Sequence, residues 1–297
     1  MKLLIQIPCL NEADTLPATL ADLPKHIPGV DTIEVLVIDD GSTDETVLVA
    51  RAHGVRHVVS FRRRKGLAAA FRAGIDACLK LGADIIVNTD ADNQYAGRDV
   101  ATLVAPLLQG RADIVIGDRN IKDVDDMSMG KKLLQRLGSW TVRRVSNTEV
   151  PDTTSGFRAY TREAALRMTI VSDFSYTLES IIQAGKNRMA IAHVPVGTNR
   201  RTRPSRLFDS LYSYIKRSAA TIVRIYTMYE PLKVFTYIGL TVFLVGFGFS
   251  LRFLYFYFFT GDSVGHVQSL ILSAVLMIVG FQVVLIGLVA DVISGTR

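Results

Sequence analysis

The sequence predicts an α/β fold in which helices flank a mostly parallel sheet, followed by an amphipathic helix and a two-helix transmembrane hairpin. Three patterns in the 297-residue chain lead to this prediction. Short apolar runs end in acidic or amide residues, which is typical of buried parallel strands that lead to a ligand-binding edge. Apolar residues recur at helical spacing around residue 220, and two long uncharged runs lie near the C-terminus.

The polar residues that follow the apolar runs indicate a binding site. The runs are residues 3–7, 34–38 and 85–87, and the groups after them are Pro8, Asn11 and Glu12, then Asp39 and Asp40, then Asp90, Ala91, Asp92 and Gln94. Because ligands of parallel α/β sheets bind outside the carboxyl ends of the strands, we expect these residues around one crevice. Carboxylates repeated at that edge favour a nucleotide site over a purely stabilising role.

Asp90, Asp92 and Gln94 predict a divalent metal site. Carboxylate and amide oxygens suit Mg²⁺ or Mn²⁺, which commonly take one or two protein carboxylates and complete their coordination with water and phosphate oxygens. We therefore expect a substrate that carries a phosphate. For an isolated pair of Asp residues, the alternative is a solvated acidic turn after a buried strand.

The net charge of +6 predicts an anionic partner, and the basic residues are clustered. Residues 62–65 precede a predicted helix of small residues and fit either a phosphate contact or a solvated loop. Residues 200–206 form a second cluster, which we expect to gather anionic lipid headgroups. A nucleic-acid partner is not expected, because carboxylates at three strand ends would repel its phosphate backbone in the absence of a metal.

The C-terminal third predicts membrane attachment. The spans 234–259 and 267–290 are each long enough to cross ~30 Å of hydrocarbon as a helix. Lys and Arg residues precede the first span and are absent from the link, so the positive-inside rule puts both termini and the N-terminal domain in the cytoplasm. Arg252 lies beyond the middle of the first span and is expected to snorkel to the outer headgroups or to contact a lipid phosphate or another subunit.

Residues 208–231 are predicted to form an amphipathic helix at the membrane surface, and packing of that helix against the N-terminal domain is an equal alternative. The expected domains are therefore residues 1–207, 208–231 and 232–297. Cys9 and Cys78 are the only cysteines and are expected to be packing residues rather than a disulfide.

Four motifs, in order along the chain, resemble the family 2 glycosyltransferases of the GT-A fold. They are Pro8-x-x-Asn11-Glu12, residues 39–44 with the sequence DDGSTD, Asp90-Ala91-Asp92-x-Gln94, and Ser155-Gly156-Phe157-Arg158. Within that family the chain resembles the dolichol-phosphate mannose synthase branch. The resemblance implies a Rossmann-like GT-A catalytic domain over residues 1–207, in a protein of the bacterial inner membrane by preference.

The resemblance also implies roles for individual residues. Catalytic roles fall to Asp92, Asp152 and Arg119; nucleotide-sugar binding falls to Pro8, Asn11, Glu12, Asp39, Asp40, Asp90 and Ala91; and acceptor-phosphate binding falls to Arg119, Lys132, Arg200, Ser205 and Arg206. Lys132 stands where relatives often carry arginine, and Arg206 stands where the family has Lys. Arg158 is expected either in the site or as a structural ion-pair partner.

The implied reaction is an inverting, metal-dependent transfer of one sugar from a nucleotide sugar to a polyisoprenyl phosphate. A UDP-sugar is slightly preferred over a GDP-sugar as donor, and a homo-oligomer, a tetramer by resemblance, is expected. Two alternatives remain open: transfer to a diacylglycerol-type lipid, for which Asp152 is the available base, and polysaccharide synthesis. Processive synthases typically carry Q-x-x-R-W, whereas the only tryptophan, Trp140, follows a different sequence.

Overall fold

The computed structural model describes residues 1–119, 140–172, 176–199, 211–260 and 267–295. Within them, one seven-stranded sheet has the order β3-β2-β1-β4-β6-β5-β7. The strands are β1 (Lys2–Cys9), β2 (Thr32–Asp39), β3 (His57–Ser60), β4 (Ile85–Asn88), β5 (Ile114–Asp118), β6 (Arg158–Thr161) and β7 (Ile191–Pro195). Only β6 runs against its neighbours, so the prediction of a mostly parallel sheet is confirmed.

Helices follow most of the strands. Those of the N-terminal part are α1 (Leu16–Asp22), α2 (Thr46–Ala52), α3 (Leu67–Lys80), α4 (Val100–Leu108), α5 (Arg162–Arg167) and α6 (Tyr176–Lys186), and residues 140–146 are also helical. The first helix is preceded by a turn over Glu12 to Thr15, in which the amides of Thr15 and Leu16 both donate to the Glu12 carbonyl.

The sheet is covered on both faces, as expected for strands that are apolar throughout. Alternate residues of β1 point to opposite sides, so Leu3 and Ile5 join the core that includes Leu103 of α4, while Gln6 faces Gly74 of α3. Gly74 permits this close approach, since an added Cβ would lie 2.1 Å from Oε1 of Gln6 and the Gln6 side chain would have to move. Helices on both faces leave the carboxyl ends of the parallel strands, outside the sheet, as the place where a ligand of such a fold binds.

The carboxyl ends of β1, β2, β4 and β5 lie at one edge of the sheet. Cys9 pairs with Asp39, and Asn88 pairs with Arg158, the first residue of the antiparallel strand. Because β6 runs in the opposite direction, its beginning shares this edge with the ends of the other strands. The segment before β6, which contains Asp152 and Gly156, is thereby brought beside the turn after β4.

The chain divides into two compact units, residues 1–222 and 223–297, with the division inside α7 (Leu211–Tyr229). The second unit contains α8 (Pro231–Tyr255), continued as a π-helix over Phe256–Thr260, and α9 (Val267–Gly295). By length and composition, the helices Pro231–Phe259 and Val267–Ser294 could cross a membrane, and only 11% and 17% of their most apolar stretches are buried. A core helix of a soluble domain would be mostly buried.

Small residues let α8 and α9 approach closely. A Cβ added at Gly239 would lie 2.6 Å from the Gly280 carbonyl oxygen, and one added at Gly280 would lie 2.6 Å from the Gly239 carbonyl oxygen. About two turns further along, the Ser273 hydroxyl donates to the Gly246 carbonyl over 2.7 Å. Close backbone approach at small residues and hydrogen bonds between helices are the usual means by which apolar helices associate in lipid.

Candidate functional site

Asp90 and Asp92 lie in a tight turn directly after β4. Oδ1 of Asp92 accepts a hydrogen bond from the Gln94 amide over 3.1 Å, and the intervening Asn93 adopts a left-handed conformation with φ 53°. The carbonyl of Ala91 accepts a hydrogen bond from the Thr19 hydroxyl over 2.9 Å, which ties the turn to α1. The backbone of the turn is therefore fixed by bonds that leave most of the carboxylate oxygens unused.

Asp90 is the most perturbed carboxyl group of this edge. Among the described residues no donor reaches its carboxylate, and burial, followed by the negative charge of Asp92, raises the pKa of Asp90 to about 7. The positive charges of Arg119 and Arg158 oppose that rise. A desolvated carboxylate with another carboxylate beside it is electrostatically unfavourable in the absence of a cation.

These side chains fit a divalent cation. Asp90 offers both oxygens and Asp92 offers one that accepts no hydrogen bond within the described part of the chain. The same part contains no group of three or more His, Cys, Asp or Glu side chains that could hold a metal by itself. A metal here would therefore complete its coordination with substrate oxygens and water, as Mg²⁺ does when it bridges protein carboxylates and phosphates.

The loops after β1 and β2 are fastened to each other. Oδ1 of Asn11 accepts from the Thr43 amide over 2.8 Å, the Asn11 amide donates to the Ser42 hydroxyl over 2.9 Å, and the Glu12 amide donates to the Thr46 hydroxyl over 2.9 Å. Asn11 adopts φ 55°, a left-handed conformation that Asn tolerates well. Together with half-buried Pro8 at the end of β1, these residues form one wall of the crevice.

Asp39 and Asp40 are both buried but have different partners. Oδ1 of Asp39 accepts from the Ser42 amide over 2.9 Å, within its own turn. The Asp40 carboxylate accepts hydrogen bonds from residues far along the chain: from the Lys65 amide over 2.7 Å and from the Gly66 amide over 2.9 Å. Asp40 thus holds the end of the basic run 62–65 at the beginning of α3.

Asp44 has a structural role at the beginning of α2. Its carboxylate accepts hydrogen bonds from the Thr46 amide over 3.0 Å and from the Ala13 amide over 3.1 Å. The first of these bonds lies at the beginning of α2, where amides lack intrahelical partners. Asp44 is therefore a helix-start acceptor that also joins the two loops.

Arg119 and Asp152 form a buried, two-pronged ion pair. Nε of Arg119 donates to Oδ2 of Asp152 over 2.7 Å, and Nη2 donates to Oδ1 of Asp152 over 3.1 Å. Nη2 also donates to the Thr154 hydroxyl over 3.0 Å. The Asp152 side chain has no exposed surface, and that of Arg119 is 15% exposed. The remaining nitrogen of Arg119, Nη1, makes no hydrogen bond with the described residues, so we regard it as the donor that could meet a ligand.

Asp152 is held in its ionised form. Burial pushes its pKa upward, but the charge of Arg119 and the hydrogen bonds from Arg119 and Thr154 outweigh burial and hold the pKa of Asp152 below its usual value. The amides of Thr154 and Ser155 also donate to Oδ1. A fully buried carboxylate with a lowered pKa is poorly placed to take a proton from an acceptor hydroxyl.

Arg158 makes structural contacts, and its partners among the described residues are carbonyls and a hydroxyl rather than a carboxylate. Its fully buried guanidinium donates to the carbonyls of Thr153, Ser155 and Thr177 over 2.7–2.9 Å and to the Ser180 hydroxyl over 2.6 Å. Of the two roles expected for Arg158, the structural role fits these contacts, in which main-chain carbonyls that no sequence pattern reports stand where a carboxylate partner was expected. Arg158 thereby joins the segment 153–155 to the beginning of α6.

Gly156 is a contributor that sequence reasoning passed over. Its amide donates to the Tyr95 hydroxyl over 3.0 Å, and its carbonyl accepts from Nδ2 of Asn88 over 2.8 Å and from the Tyr176 hydroxyl over 3.2 Å. A Cβ at this position would lie 3.1 Å from Oδ1 of Asp90. The only signal in the sequence was the glycine in the Ser155–Arg158 motif.

Four predicted acceptor residues, Lys132, Arg200, Ser205 and Arg206, lie outside the described residues. The chain leading to the second basic cluster is nevertheless fixed up to Asn199. The Asn199 amide donates to the Gln94 carbonyl over 2.8 Å, and its side-chain amide donates to the Asn93 carbonyl over 3.0 Å. Asn199 therefore lies directly beside the turn that carries Asp92.

The fold and the acidic turn together define a class of enzymes that handle nucleotide-linked substrates at the carboxyl edge of a parallel sheet. Residues 4–168 match the family model described as glycosyl transferase family 2. Residues 230–296 match a second family model, described as GtrB C-terminal hairpin. The chain belongs to glycosyl transferase family 2. The predicted family, fold and enzyme class are confirmed, and the hairpin match together with the two apolar helices indicates membrane association.

Two relatives and one solved structure illustrate the similarity. The UDP-N-acetylglucosamine–dolichyl-phosphate N-acetylglucosaminyltransferase of Methanococcus voltae is 26% identical over 216 residues, covering 65% of this chain and 83% of that protein. The polyprenol monophosphomannose synthase of Mycolicibacterium smegmatis is 28% identical over 204 residues, covering 65% of this chain and 76% of that protein. The Mycobacterium tuberculosis glucosyl-3-phosphoglycerate synthase, crystallised with Mn²⁺, UDP-glucose and phosphoglyceric acid, has a TM-score of 0.59 and 25% identity, covering 76% of this chain and 78% of that one.

Proposed function

We propose that this glycosyltransferase moves one sugar from a nucleotide sugar to a polyisoprenyl phosphate, with inversion at the anomeric carbon and dependence on Mg²⁺ or Mn²⁺. The observation that carries the proposal is the half-buried Asp90 carboxylate, which has no donor among the described residues and lies next to Asp92 at the end of β4. Such a pair is suited to a cation that also binds a diphosphate.

Binding of the donor is assigned to the crevice around β1, β2 and β4. Pro8, Asn11, Glu12, Asp39 and Asp40 line the side of the base and ribose, and Asp90, Ala91, Asp92 and Gln94 lie on the side of the diphosphate and the metal. Asp40 contributes indirectly, since its carboxylate is taken by the amides of Lys65 and Gly66. A UDP-sugar is preferred as donor, supported by the UDP-linked substrates of the Methanococcus voltae relative and of the solved structure.

The metal is assigned to Asp90, Asp92 and Gln94. When bound, the cation would neutralise the negative charge that develops on the leaving diphosphate. Hydrogen bonds within the protein hold the turn rigid. The hydrogen bond from the Gln94 amide to Asp92 does this by fixing the direction of the Asp92 carboxylate.

The acceptor side is assigned to Arg119 and to Lys132, Arg200, Ser205 and Arg206. A phosphate monoester with a second pKa of ~6 is mostly a dianion near neutral pH, so it needs positioning more than deprotonation. Its oxygen attacks the anomeric carbon as the bond from that carbon to the diphosphate breaks. The catalytic part of Asp152 is to orient Arg119, because both of its oxygens already accept hydrogen bonds.

The structure of Asp152 bears on the diacylglycerol alternative. A neutral hydroxyl acceptor would need a general base, and Asp152 is fully buried, ionised and paired with Arg119. The buried ion pair of Asp152 with Arg119 therefore favours an acceptor that is already charged. The names of the two relatives, which refer to dolichyl phosphate and to polyprenol monophosphomannose, point to the same class of acceptor.

The expected membrane arrangement follows from the charge distribution. The catalytic domain, residues 1–207, and both termini lie in the cytoplasm, residues 208–231 lie at the membrane surface, and the spans within residues 232–297 anchor the chain in the bacterial inner membrane. We further propose a homo-oligomer, a tetramer by resemblance, with the second basic cluster at the acceptor headgroup.

The test is an acceptor assay with the full-length protein in detergent. The protein is incubated with a panel of labelled UDP- and GDP-sugars, Mn²⁺, and either a polyisoprenyl phosphate or diacylglycerol, with and without EDTA. We expect an acid-labile lipid-phosphate sugar that forms only with metal present. Transfer to diacylglycerol alone, growth of a polymer, or full activity in EDTA would refute the proposal.

A further inference from the structure

Tyr95 contacts both sides of the candidate site. It follows the acidic turn, is only 4% exposed, and its ring stacks on Phe157 with centroids 5.0 Å apart. The same ring lies 5.9 Å from Cζ of Arg119, within the range of a cation–π interaction. Its hydroxyl accepts the Gly156 amide hydrogen over 3.0 Å.

Gly156 transmits the position of that hydroxyl to Asp90. Because Gly156 has no side chain, its backbone lies against the Asp90 carboxylate. A Cβ added to Gly156 would lie 3.1 Å from Oδ1 of Asp90. Asn88 fixes the other side of Gly156 through a 2.8 Å hydrogen bond to the carbonyl. Because residue 156 also ends the segment that carries Asp152, its position affects both carboxylates.

We propose that Tyr95 is a positioning residue that couples the metal-bearing turn to Arg119. Its hydroxyl seats Gly156 against Asp90, and its ring supports the guanidinium that faces the acceptor. The inference rests on the proposed function and adds a residue to it. Its consequence is that binding of metal and nucleotide at Asp90 and Asp92 and binding of a phosphate at Arg119 are not independent, and thermodynamic linkage makes this coupling reciprocal.

Removal of the hydroxyl has a defined physical effect. In Tyr95→Phe the Gly156 amide loses its acceptor in a buried place, and an unsatisfied buried amide is costly enough to shift the backbone. The phenyl ring still lies beneath Arg119. The substitution therefore separates the effect on the metal side from the effect on the acceptor side, whereas Tyr95→Leu removes both supports.

Tyr160→Phe is a matched control. Tyr160 is fully buried and lies in β6; its hydroxyl lies near Arg158 and Ser180 but makes no well-aligned hydrogen bond with the described residues. Loss of this hydroxyl therefore removes the same atom from a neighbouring part of the core without disturbing Gly156. Thermal unfolding of each variant identifies any that fails to fold.

The first measurement is calorimetric titration of the full-length protein in detergent with UDP in the presence of Mn²⁺. We expect Tyr95→Phe to weaken binding of UDP with Mn²⁺ by about three- to tenfold, the usual range for one lost hydrogen bond, while Tyr160→Phe binds like the wild type. Wild-type affinity in Tyr95→Phe, or an equal loss in Tyr160→Phe, would overturn the inference. This measurement needs no acceptor, so it stands even if the proposed acceptor is wrong.

The second measurement is the KM for the polyisoprenyl phosphate. We expect Tyr95→Leu to raise this KM and Tyr95→Phe to leave it within about twofold of the wild type, since the ring that supports Arg119 is kept. A purely structural role would instead lower kcat in both variants in proportion to their loss of thermal stability. Should Tyr95→Leu fail to fold, the binding result for Tyr95→Phe decides the matter.

Discussion

At the scale of single residues, the carboxylates of this edge fall into two groups. Asp40 and Asp152 have both oxygens committed to protein donors, whereas Asp90 has none among the described residues. Their sequence contexts are similar, because each follows or precedes a short strand. Only the uncommitted carboxylates are suited to a cation, and the committed ones hold the loops that surround it.

Asp92→Asn tests the metal assignment while preserving the shape of the turn. The amide oxygen can still accept the Gln94 hydrogen bond, but the charge is lost, so we expect kcat/KM to fall by roughly a hundredfold or more. Asp76→Asn is the control, since Asp76 lies exposed on α3 and pairs only with Lys80 among the described residues. Initial rates at saturating Mn²⁺ measure both variants, and near-normal turnover in Asp92→Asn contradicts the assignment.

Asp152→Asn tests the ion pair. Removing one partner of a buried pair leaves the other uncompensated, so we expect the free energy of unfolding to fall by about 3–5 kcal/mol. Because the folded pKa of Asp152 is lowered, its contribution is fully present above the ordinary Asp pKa of ~3.9 and is lost as the pH falls through the folded value. The difference in melting temperature between wild type and variant should therefore shrink as the pH is lowered below about 4. A difference that stays constant or grows would show that this ion pair is not its source.

At the scale of elements, the sequence predicted where the strands end, but it did not predict the hydrogen-bond partners of the polar residues near those ends. The runs that predicted β1, β2 and β4 all lie within the observed strands, because apolar patterning reports burial directly. Nothing local indicated that Asp40 would anchor the amides before α3, or that Arg158 would bind the Thr177 carbonyl of α6. Those contacts join residues about 20 or more positions apart, so chain folding decides them.

The hairpin offers a prediction with an internal control. Gly280→Ala introduces a methyl group 2.6 Å from the Gly239 carbonyl, which should force α8 and α9 apart and lower the melting temperature in detergent. Gly248→Ala introduces the same methyl group on α8, where nothing lies within 4 Å. Both changes favour the helical conformation equally, so their difference isolates the contact between the helices. Equal melting temperatures would contradict this packing.

At the scale of the whole molecule, the orientation of the chain in the membrane can be measured with cysteine labelling. The native Cys9 and Cys78 are buried at 2% and 0% exposure, so they give little background. We expect Ser263→Cys, in the link between the spans, to react with an impermeant maleimide in intact cells. Thr296→Cys should react only after the membrane is opened. The reverse pattern would contradict a cytoplasmic catalytic domain.

The sequence by itself determined the α/β class, the family, the acidic turn and the two apolar helices, because burial, periodicity and short motifs are local properties of the chain. Only the tertiary structure decided which carboxylates are left free for a ligand. Asp90 and Asp152 were both expected in the site, yet Asp90 lies against a glycine with no donor among the described residues and Asp152 is paired with Arg119. The physical reason is that a buried carboxylate takes its properties from the donors that folding brings within about 3 Å of it.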